Sequence, residues 1–187
     1  MDRIAEMKKL NLNYSKIPYK TKNWDLSKVL VQGEGPLDAK VMFIGQAPGR
    51  NEDVERRPFI GTSGKFLTQL MTLAGIDRKS VYICSVVQFF PPLNRMPTDE
   101  EIELCKEFLF KQIDIVNPKL VVLLGALASK TVANVEKVGT NHGTIIEKEG
   151  RTYFISMHPA AAVRIRTKIP VMEKDFKKLR TVVKKIL

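Results

Sequence analysis

Two segments of the chain combine residue types that could act on a bound ligand. The dipeptide His158-Pro159 holds one of only two histidines in the sequence. Its imidazole could donate a hydrogen bond to an anionic leaving group, whereas an isolated histidine more often serves structure alone. The turn 45–49, Gly-Gln-Ala-Pro-Gly, carries little side chain and would let the backbone approach a ligand closely. These two segments are therefore the candidate site.

A pair of carboxylates, Glu52-Asp53, and the aromatic ring of Phe59 follow this turn. The ring could stack on a flipped-out nucleobase, a contact worth about 1–3 kcal/mol. It could also be a core residue, as a lone aromatic residue more often is. The turn matches neither the dinucleotide-binding fingerprint nor the phosphate-binding loop, so a nucleotide cofactor is disfavoured.

The elements that must position these residues alternate between strands and helices. Short apolar runs predict strands at 41–45, 81–87, 120–124 and 152–157. Helical patterns predict helices at 62–74, 98–116, 126–135 and 172–186, and residues 1–35 are predicted to be irregular. The alternation predicts an α/β fold with a mostly parallel sheet and helices on both faces. Because ligands bind beyond the carboxyl ends of such strands, we expect Gln46, Ser85 and His158 on one rim.

The charge of the chain favours a polyanionic partner. The net charge is +11, from 31 basic and 20 acidic residues. A lysine-rich surface kept for solubility would explain this total equally well. However, residues 164–187 hold nine Lys and Arg residues against two acidic ones. Such a concentration favours nucleic acid over a membrane surface.

Length and cysteine content narrow the class of protein. A chain of 187 residues fits one domain, 1–187, with its own core. No stretch approaches the roughly 20 apolar residues of a membrane helix, and residues 1–10 lack an apolar signal core. We therefore expect a cytoplasmic protein. Its two cysteines, Cys84 and Cys105, suit a reducing compartment and are too few for a four-cysteine zinc or iron–sulfur site.

In their order along residues 33–164, these motifs resemble the family 4 uracil-DNA glycosylases. The first block comprises Gly33-Glu34-Gly35-Pro36, the turn 45–49, Glu52-Asp53, Arg57-Pro58-Phe59-Ile60-Gly61 and Gly64. The middle of the chain adds Val81-Tyr82-Ile83, Pro91-Pro92, Asn94-Arg95, Pro97-Thr98, Glu100-Glu101, Cys105 and Leu124-Gly125. His158-Pro159-Ala160 is the second hallmark block.

The resemblance implies a three-layer α/β/α sandwich around a four-stranded sheet. It also implies a monofunctional enzyme of base-excision repair that flips a deaminated base, uracil first, out of DNA. Such an enzyme hydrolyses the bond between base and deoxyribose and leaves an abasic site. Carried over residue by residue, His158 stabilises the departing base anion, and Phe59 stacks on its ring. Glu52 stabilises the attacking water or the sugar cation.

The resemblance also places the pocket wall and the DNA contacts. Gly45, Gln46 and Ala47 would line the base pocket. The segment 159–164, beginning with Pro159 and Ala160, resembles a loop that enters the minor groove, and Arg164 and Arg166 would hold phosphates there. The implied partner is double- or single-stranded DNA containing a damaged base, bound by a monomer.

The first departure from the family concerns the iron–sulfur cluster. The family carries four cysteine ligands, of which only Cys105 has a counterpart here. The usual Lys-Cys-Arg before the two prolines is Gln88-Phe89-Phe90 in this chain. We therefore expect no cofactor. We expect Cys84 to be a buried strand residue, and Phe89 and Phe90 to pack into the vacated region.

The second departure concerns chemistry. Gln46 replaces the family's glutamate, and Ser85 replaces the asparagine that recognises the edge of uracil. A hydroxyl is shorter than an amide and rotates freely, so discrimination should weaken by about 1–3 kcal/mol. Hypoxanthine, xanthine and mismatched thymine remain alternative substrates. A catalytically weak DNA-binding protein on the same scaffold is the second hypothesis, and a basic α/β protein that binds free nucleotides or RNA is the third.

Overall fold

The computed structural model describes residues 2–22 and 24–186, in which five strands form one sheet. The strands are β1 (Val41–Gly45), β2 (Tyr82–Ser85), β3 (Leu120–Leu124), β4 (Ile145–Lys148) and β5 (Arg151–Ser156). Their order is β2-β1-β3-β5-β4. All neighbours are parallel except β4, which is antiparallel to β5. The predicted α/β class with a mostly parallel sheet is confirmed.

The prediction of four strands is wrong by one, because it missed β4 at the edge of the sheet. This strand has four residues, none of them buried, and Ile145 is 42% exposed. An exposed edge strand leaves no continuous apolar run in the sequence. The turn Glu149-Gly150 joins it to β5 with both residues at positive φ, 53° and 74°, as a two-residue hairpin requires.

Helices cover both faces of the sheet. They are α1 (Arg3–Tyr14), α2 (Ile17–Lys20), α3 (Arg50–Glu55), α4 (Thr62–Leu73), α5 (Asp99–Val116), α6 (Ala126–Ala133), α7 (Val138–Asn141), α8 (Pro159–Arg164) and α9 (Ile169–Ile186). The four predicted helices are present with small differences at their ends. The last one, α9, begins three residues before the predicted Met172. No helix among the described residues is both long and apolar enough to cross a membrane.

The prediction that residues 1–35 are irregular is also wrong, because α1 and α2 lie there. The Asp2 carboxylate accepts the N–H of Ile4 at 2.9 Å and caps α1. Met7, Leu10 and Tyr14 lie on one face of α1 and are buried against the sheet and α5. These apolar positions were obscured in the sequence by the lysines and asparagines between them.

The two sides of the sheet have separate cores. On one side, β-strand residues pack beneath α1, α5 and α6, with Phe89 and Leu109 fully buried. On the other side, α4 and α9 cover Phe43 and Phe154, and Phe176 of α9 is fully buried there. Because helices cover both faces, the carboxyl edge of the sheet is the place where a ligand can meet several strands at once.

Candidate active site

A cleft of about 650 Å³ lies at the carboxyl edge of the sheet. The segments that follow β1, β2 and β5 form its walls, together with the start of α4. The structure brings Gln46, Ser85 and His158 together in this cleft. It also brings there Ala47, Glu52, Phe59, Ala160 and Arg164.

His158 comes directly after β5 and caps α8. Its Nδ1 accepts the backbone N–H of Ala160 at 3.1 Å, so the neutral ring carries its proton on Nε2. Burial, together with the nearby charge of Arg164, lowers the pKa of His158 to about 4, against an opposing effect of Glu52. The ring is therefore neutral at physiological pH and still offers one hydrogen-bond donor.

Gly125, which follows β3, leaves space for the side chain of His158. A Cβ at Gly125 would lie 2.9 Å from Cβ of His158, and the glycine has a φ of +92°. Only glycine adopts this backbone conformation without strain. The end of β3 therefore determines where the imidazole after β5 can lie.

Phe59 packs against the first turn and against His158. Its backbone has a φ of 53°, its side chain is 8% exposed, and its ring centre lies 5.8 Å from that of His158 at an interplanar angle of 29°. A Cβ at Gly45 would lie 2.4 Å from Cζ of Phe59, and a Cβ at Gly64 would lie 1.8 Å from its carbonyl oxygen. The ring thus belongs to the core, as one interpretation has it, and it also lines the cleft, where stacking on a base stays a prediction.

Glu52 holds two walls of the cleft together. One carboxylate oxygen accepts the N–H groups of Ile60 at 3.0 Å and Gly61 at 2.8 Å. The other accepts the N–H of Gly49 at 3.1 Å. The turn after β1 is therefore fixed to the segment that enters α4. Three backbone donors also hold the negative charge in place at the cleft.

The side chains of Gln46 and Ser85 make no hydrogen bond to any described residue. Both line the cleft, so their polar groups are free to meet a ligand. The backbone around them is fixed instead, since Val86 N–H donates to Gly45 O at 3.0 Å and Val87 N–H to Gln46 O at 3.1 Å.

Buried amides support the segment that follows β2. Gln88 Nε2 donates to Gln112 Oε1 at 2.6 Å and to the carbonyl of Ser85 at 3.4 Å. Gln112 Nε2 donates back to Gln88 Oε1 at 3.3 Å, and both side chains are almost fully buried. A satisfied buried pair of this kind holds Ser85 in one place relative to α5.

The predicted DNA contacts do not all lie at the cleft. Ala160 and Arg164 line it, but Pro159 is buried in the first turn of α8, and Arg166 is exposed outside the lining. Sequence reasoning did not name several of the lining residues as site residues, among them Arg50, Asn94, Arg95 and Met96. The prolines at 91, 92 and 97 were the available signal, because they mark a stiff loop after β2.

The residues present do not fit an iron–sulfur cluster. The chain has two cysteines, and both are buried. Burial raises the pKa of Cys105 to about 12, whereas a cluster ligand must be a thiolate. Among residues 2–22 and 24–186 no three His, Cys, Asp or Glu side chains converge as metal ligands would.

Aromatic rings fill the region around Cys105. Phe89 meets Tyr14 edge to face at 5.2 Å and Trp24 at 5.1 Å, and Tyr14 stacks on Phe108 at 4.5 Å. We call these four residues the aromatic cluster. Phe89 is fully buried, as expected, whereas Phe90 is only half-buried. The expected burial of Cys84 in a strand is confirmed.

Sequence comparisons identify relatives with the same motifs. A family model described as "Uracil DNA glycosylase superfamily" matches residues 32–186. A type-4 uracil-DNA glycosylase of Sulfurisphaera tokodaii is 40% identical over 173 residues, which cover 86% of this chain and 78% of that protein. The type-4 uracil-DNA glycosylase of Thermotoga maritima is 39% identical over 161 residues, which cover 83% and 84%.

A type-5 uracil-DNA glycosylase of Pyrobaculum aerophilum is 33% identical over 144 residues, 67% of this chain and 63% of that protein. The type-4 relatives thus match a longer part of the chain at higher identity. With the family model covering most of the sequence, the chain belongs to the uracil DNA glycosylase superfamily and resembles its type-4 members over most of its length.

Proposed function

We propose that this protein is a monofunctional DNA glycosylase that removes uracil from DNA in base-excision repair. Family membership supports the reaction. The observation that carries the proposal is a neutral histidine, His158, with its donor proton on Nε2, beside the ring of Phe59 in one cleft. A flipped-out base could stack on the ring and receive the hydrogen bond at the same time.

The reaction needs charge stabilisation more than proton transfer. As the glycosidic bond breaks, its electron pair leaves with the base, and positive charge builds up at C1′ of the deoxyribose. His158 donates through Nε2 to the base oxygen on which negative charge develops. Water then adds its oxygen to C1′, and the proton it releases ends on the departed base.

We assign to Glu52 the positive charge that develops on the deoxyribose. Its carboxylate lies at the cleft and is held by three backbone N–H groups, so it keeps a fixed position while the sugar cation forms. Fixed charges of opposite sign to the developing charge lower the barrier without reorganisation. In this proposal it stabilises the sugar cation or the attacking water.

Gln46 and Ser85 recognise the edge of the base, with the backbone of Gly45 and Ala47 as the pocket wall. The Gln46 amide supplies a donor and an acceptor, and the Ser85 hydroxyl rotates to serve as either. This arrangement is less selective than a fixed asparagine. Uracil is therefore the first substrate, and hypoxanthine, xanthine and mismatched thymine are the next candidates.

Duplex or single-stranded DNA would lie across the cleft. Arg164 and Arg166 hold phosphates next to the flipped nucleotide, and the segment that begins with Pro159 and Ala160 approaches the minor groove. We propose that residues 1–187 act as one unit, as a monomer, in the cytoplasm of a prokaryotic cell. We also propose that the enzyme works without an iron–sulfur cluster, since the aromatic cluster takes the place of the ligands.

A catalytically weak DNA-binding protein is the second candidate. The observation that favours it is the absence of a carboxylate at Gln46 and of an amide at Ser85. Labelled duplexes with uracil, hypoxanthine, xanthine or thymine opposite guanine separate the two. Release of any base, detected by alkali cleavage of the abasic site, establishes the glycosylase and names its substrate. Tight duplex binding with no release would select the second candidate.

A further inference from the structure

The loop between β2 and α5 carries an apolar tip at the edge of the cleft. Leu93 at this tip is 96% exposed, the most exposed of the large apolar side chains among the described residues. The residues around it, Pro91, Asn94 and Met96, line the cleft. Met96 is itself 57% exposed. A leucine so exposed gains nothing from burial in the free protein.

The backbone at Leu93 is also unfavourable. Leu93 has a φ of 55°, and Asn94 follows it with a φ of 56°. Asparagine tolerates this left-handed conformation, but leucine does so only at a cost, because its Cβ crowds the following carbonyl. The side chain is solvent-exposed, so no packing of the free protein offsets this strain. An outlier without structural compensation at a functional cleft points to a role in binding.

The loop is stiff enough to present Leu93 in a fixed direction. Asn94 N–H donates to Pro91 O, and Arg95 N–H to Pro92 O, both at 3.1 Å. The Arg95 guanidinium donates to both carboxylate oxygens of Glu101, at 2.7 and 2.9 Å. It also donates to Asp25 at 3.0 Å. The base of the loop is therefore anchored to α5 and to the segment after α2.

Sheet topology places this tip across the cleft from α8. The loop follows β2, and α8 follows β5, which is three positions away in the strand order. At the usual strand spacing this corresponds to about 14 Å. DNA that delivers a base into the cleft between them would meet Leu93 on one side and Arg164 on the other.

We propose that Leu93 is a wedge that enters the DNA base stack beside the flipped nucleotide. This inference rests on the proposed glycosylase function. A base that leaves the stack exposes the apolar faces of its neighbours, and a leucine side chain can fill that space and hold the duplex open. Leu93 is thus a positioning residue for duplex substrates. Single-stranded DNA has no stack to hold open and gains nothing from it.

The test compares Leu93→Gly, Leu93→Met and a matched control, Leu12→Ala, whose leucine is 59% exposed on α1 away from the cleft. Single-turnover uracil release is measured on a duplex and on the same uracil strand alone. We expect Leu93→Gly to slow release from the duplex by about tenfold to a hundredfold, as the burial of one leucine side chain allows.

The same variant should change single-strand release by less than about twofold and should not lower the Tm, since glycine adopts this φ freely. Leu93→Met and Leu12→Ala should retain duplex release. Equal losses on both substrates, or an unchanged rate on the duplex, would overturn the wedge.

A fluorescence arm separates failure of the wedge from failure of the glycosylase proposal. 2-Aminopurine placed next to the uracil in the duplex becomes brighter when the stack opens, and this signal needs no base release. At saturating protein, Leu93→Gly should lose most of the rise seen with wild type. If the rise is unchanged, the wedge is wrong, whether or not wild type releases uracil. If wild type opens the stack but releases no base, only the glycosylase proposal fails.

Discussion

The rings of Phe59 and His158 face each other at the cleft, with centres 5.8 Å apart and planes inclined by 29°. Phe59 follows the first strand and His158 the last, so this contact joins two segments that are far apart in the sequence. One ring offers a π face and the other a hydrogen-bond donor, and each side chain packs against a glycine, Gly45 or Gly125, at which a Cβ would collide with it.

The pH dependence of base release should show no histidine inflection. Because burial and Arg164 lower the pKa of His158 to about 4 from 6.5, the ring stays neutral from pH 5 to 9. Single-turnover rates of wild type across this range test the expectation. An inflection near pH 6.5 that disappears in His158→Ala would contradict it, because it would show that the ring titrates normally.

The same pKa has a consequence for stability. Between pH 6.5 and 4 the unfolded chain takes up a proton at His158 that the native protein does not. The free energy of unfolding of wild type should therefore fall as the pH falls through this window. Urea unfolding of wild type and His158→Ala at several pH values measures the difference. A difference between the two proteins that is independent of pH would show that the native pKa is not lowered.

Gly45→Ala should displace the ring of Phe59 and slow base release. Its Cβ would lie 2.4 Å from Cζ of Phe59, so the ring must move away from the base position. Overpacking of this kind costs about 1–3 kcal/mol of stability. The matched control is Gly139→Ala, where nothing lies within 4 Å of the new Cβ. Equal activity of the two variants would show that the position of Phe59 does not matter for release.

The purified protein should contain no iron–sulfur cluster and should depend on the aromatic cluster for stability. Phe89→Ala should lower the free energy of unfolding by about 3–5 kcal/mol, as truncation of a buried aromatic residue does. Cys105→Ala should cost less and leave base release intact. Iron analysis and absorbance near 400 nm check the first statement, and urea unfolding the second. Stoichiometric iron that is lost in Cys105→Ala would refute both.

Within the basic segment 164–187, the residues nearest the cleft, Arg164 and Arg166, should account for the salt dependence of DNA binding. A Cβ at Gly75, which follows α4, would lie 3.7 Å from Nε of Arg180, so the second half of α9 is at the edge of the sheet opposite the cleft. Neutral replacements of Arg164 and Arg166 should each lower the log–log salt slope by about 0.9. The matched pair Lys184 and Lys185 should leave it unchanged. The reverse pattern would mean that DNA binds along α9.

The sequence was sufficient to predict the strands and helices that leave a regular pattern of apolar or capping residues. Short apolar runs at 41–45 and 120–124 marked central strands because both faces of a parallel sheet are buried. Thr98 and Glu101 marked the start of α5, where each accepts the other's backbone N–H at 3.3 and 2.7 Å. From strand ends alone, the rim that holds Ser85 and His158 could be predicted.

The remaining features depend on tertiary contacts that leave no local pattern. The strand β4 is exposed and is formed by pairing with β5, not by burial of its own residues. The left-handed backbone at Leu93 belongs to a residue type that rarely adopts it, so turn chemistry did not reveal the tip. The hydrogen bond from the Ile60 N–H to the Glu52 carboxylate joins residues eight positions apart around a turn, and nothing in their spacing indicates that contact.

The most direct test of the central claim is single-turnover uracil release by wild type and His158→Ala, with DNA affinity measured on the same duplex. Loss of the Nε2 donor should slow release by about a hundredfold to a thousandfold, the usual cost of removing one donor to a developing anion. DNA affinity should change little, since the proposed role of the ring is a contact to the base alone. If release and affinity fall by the same factor, or if wild type releases no uracil, His158 is not the donor that drives base departure.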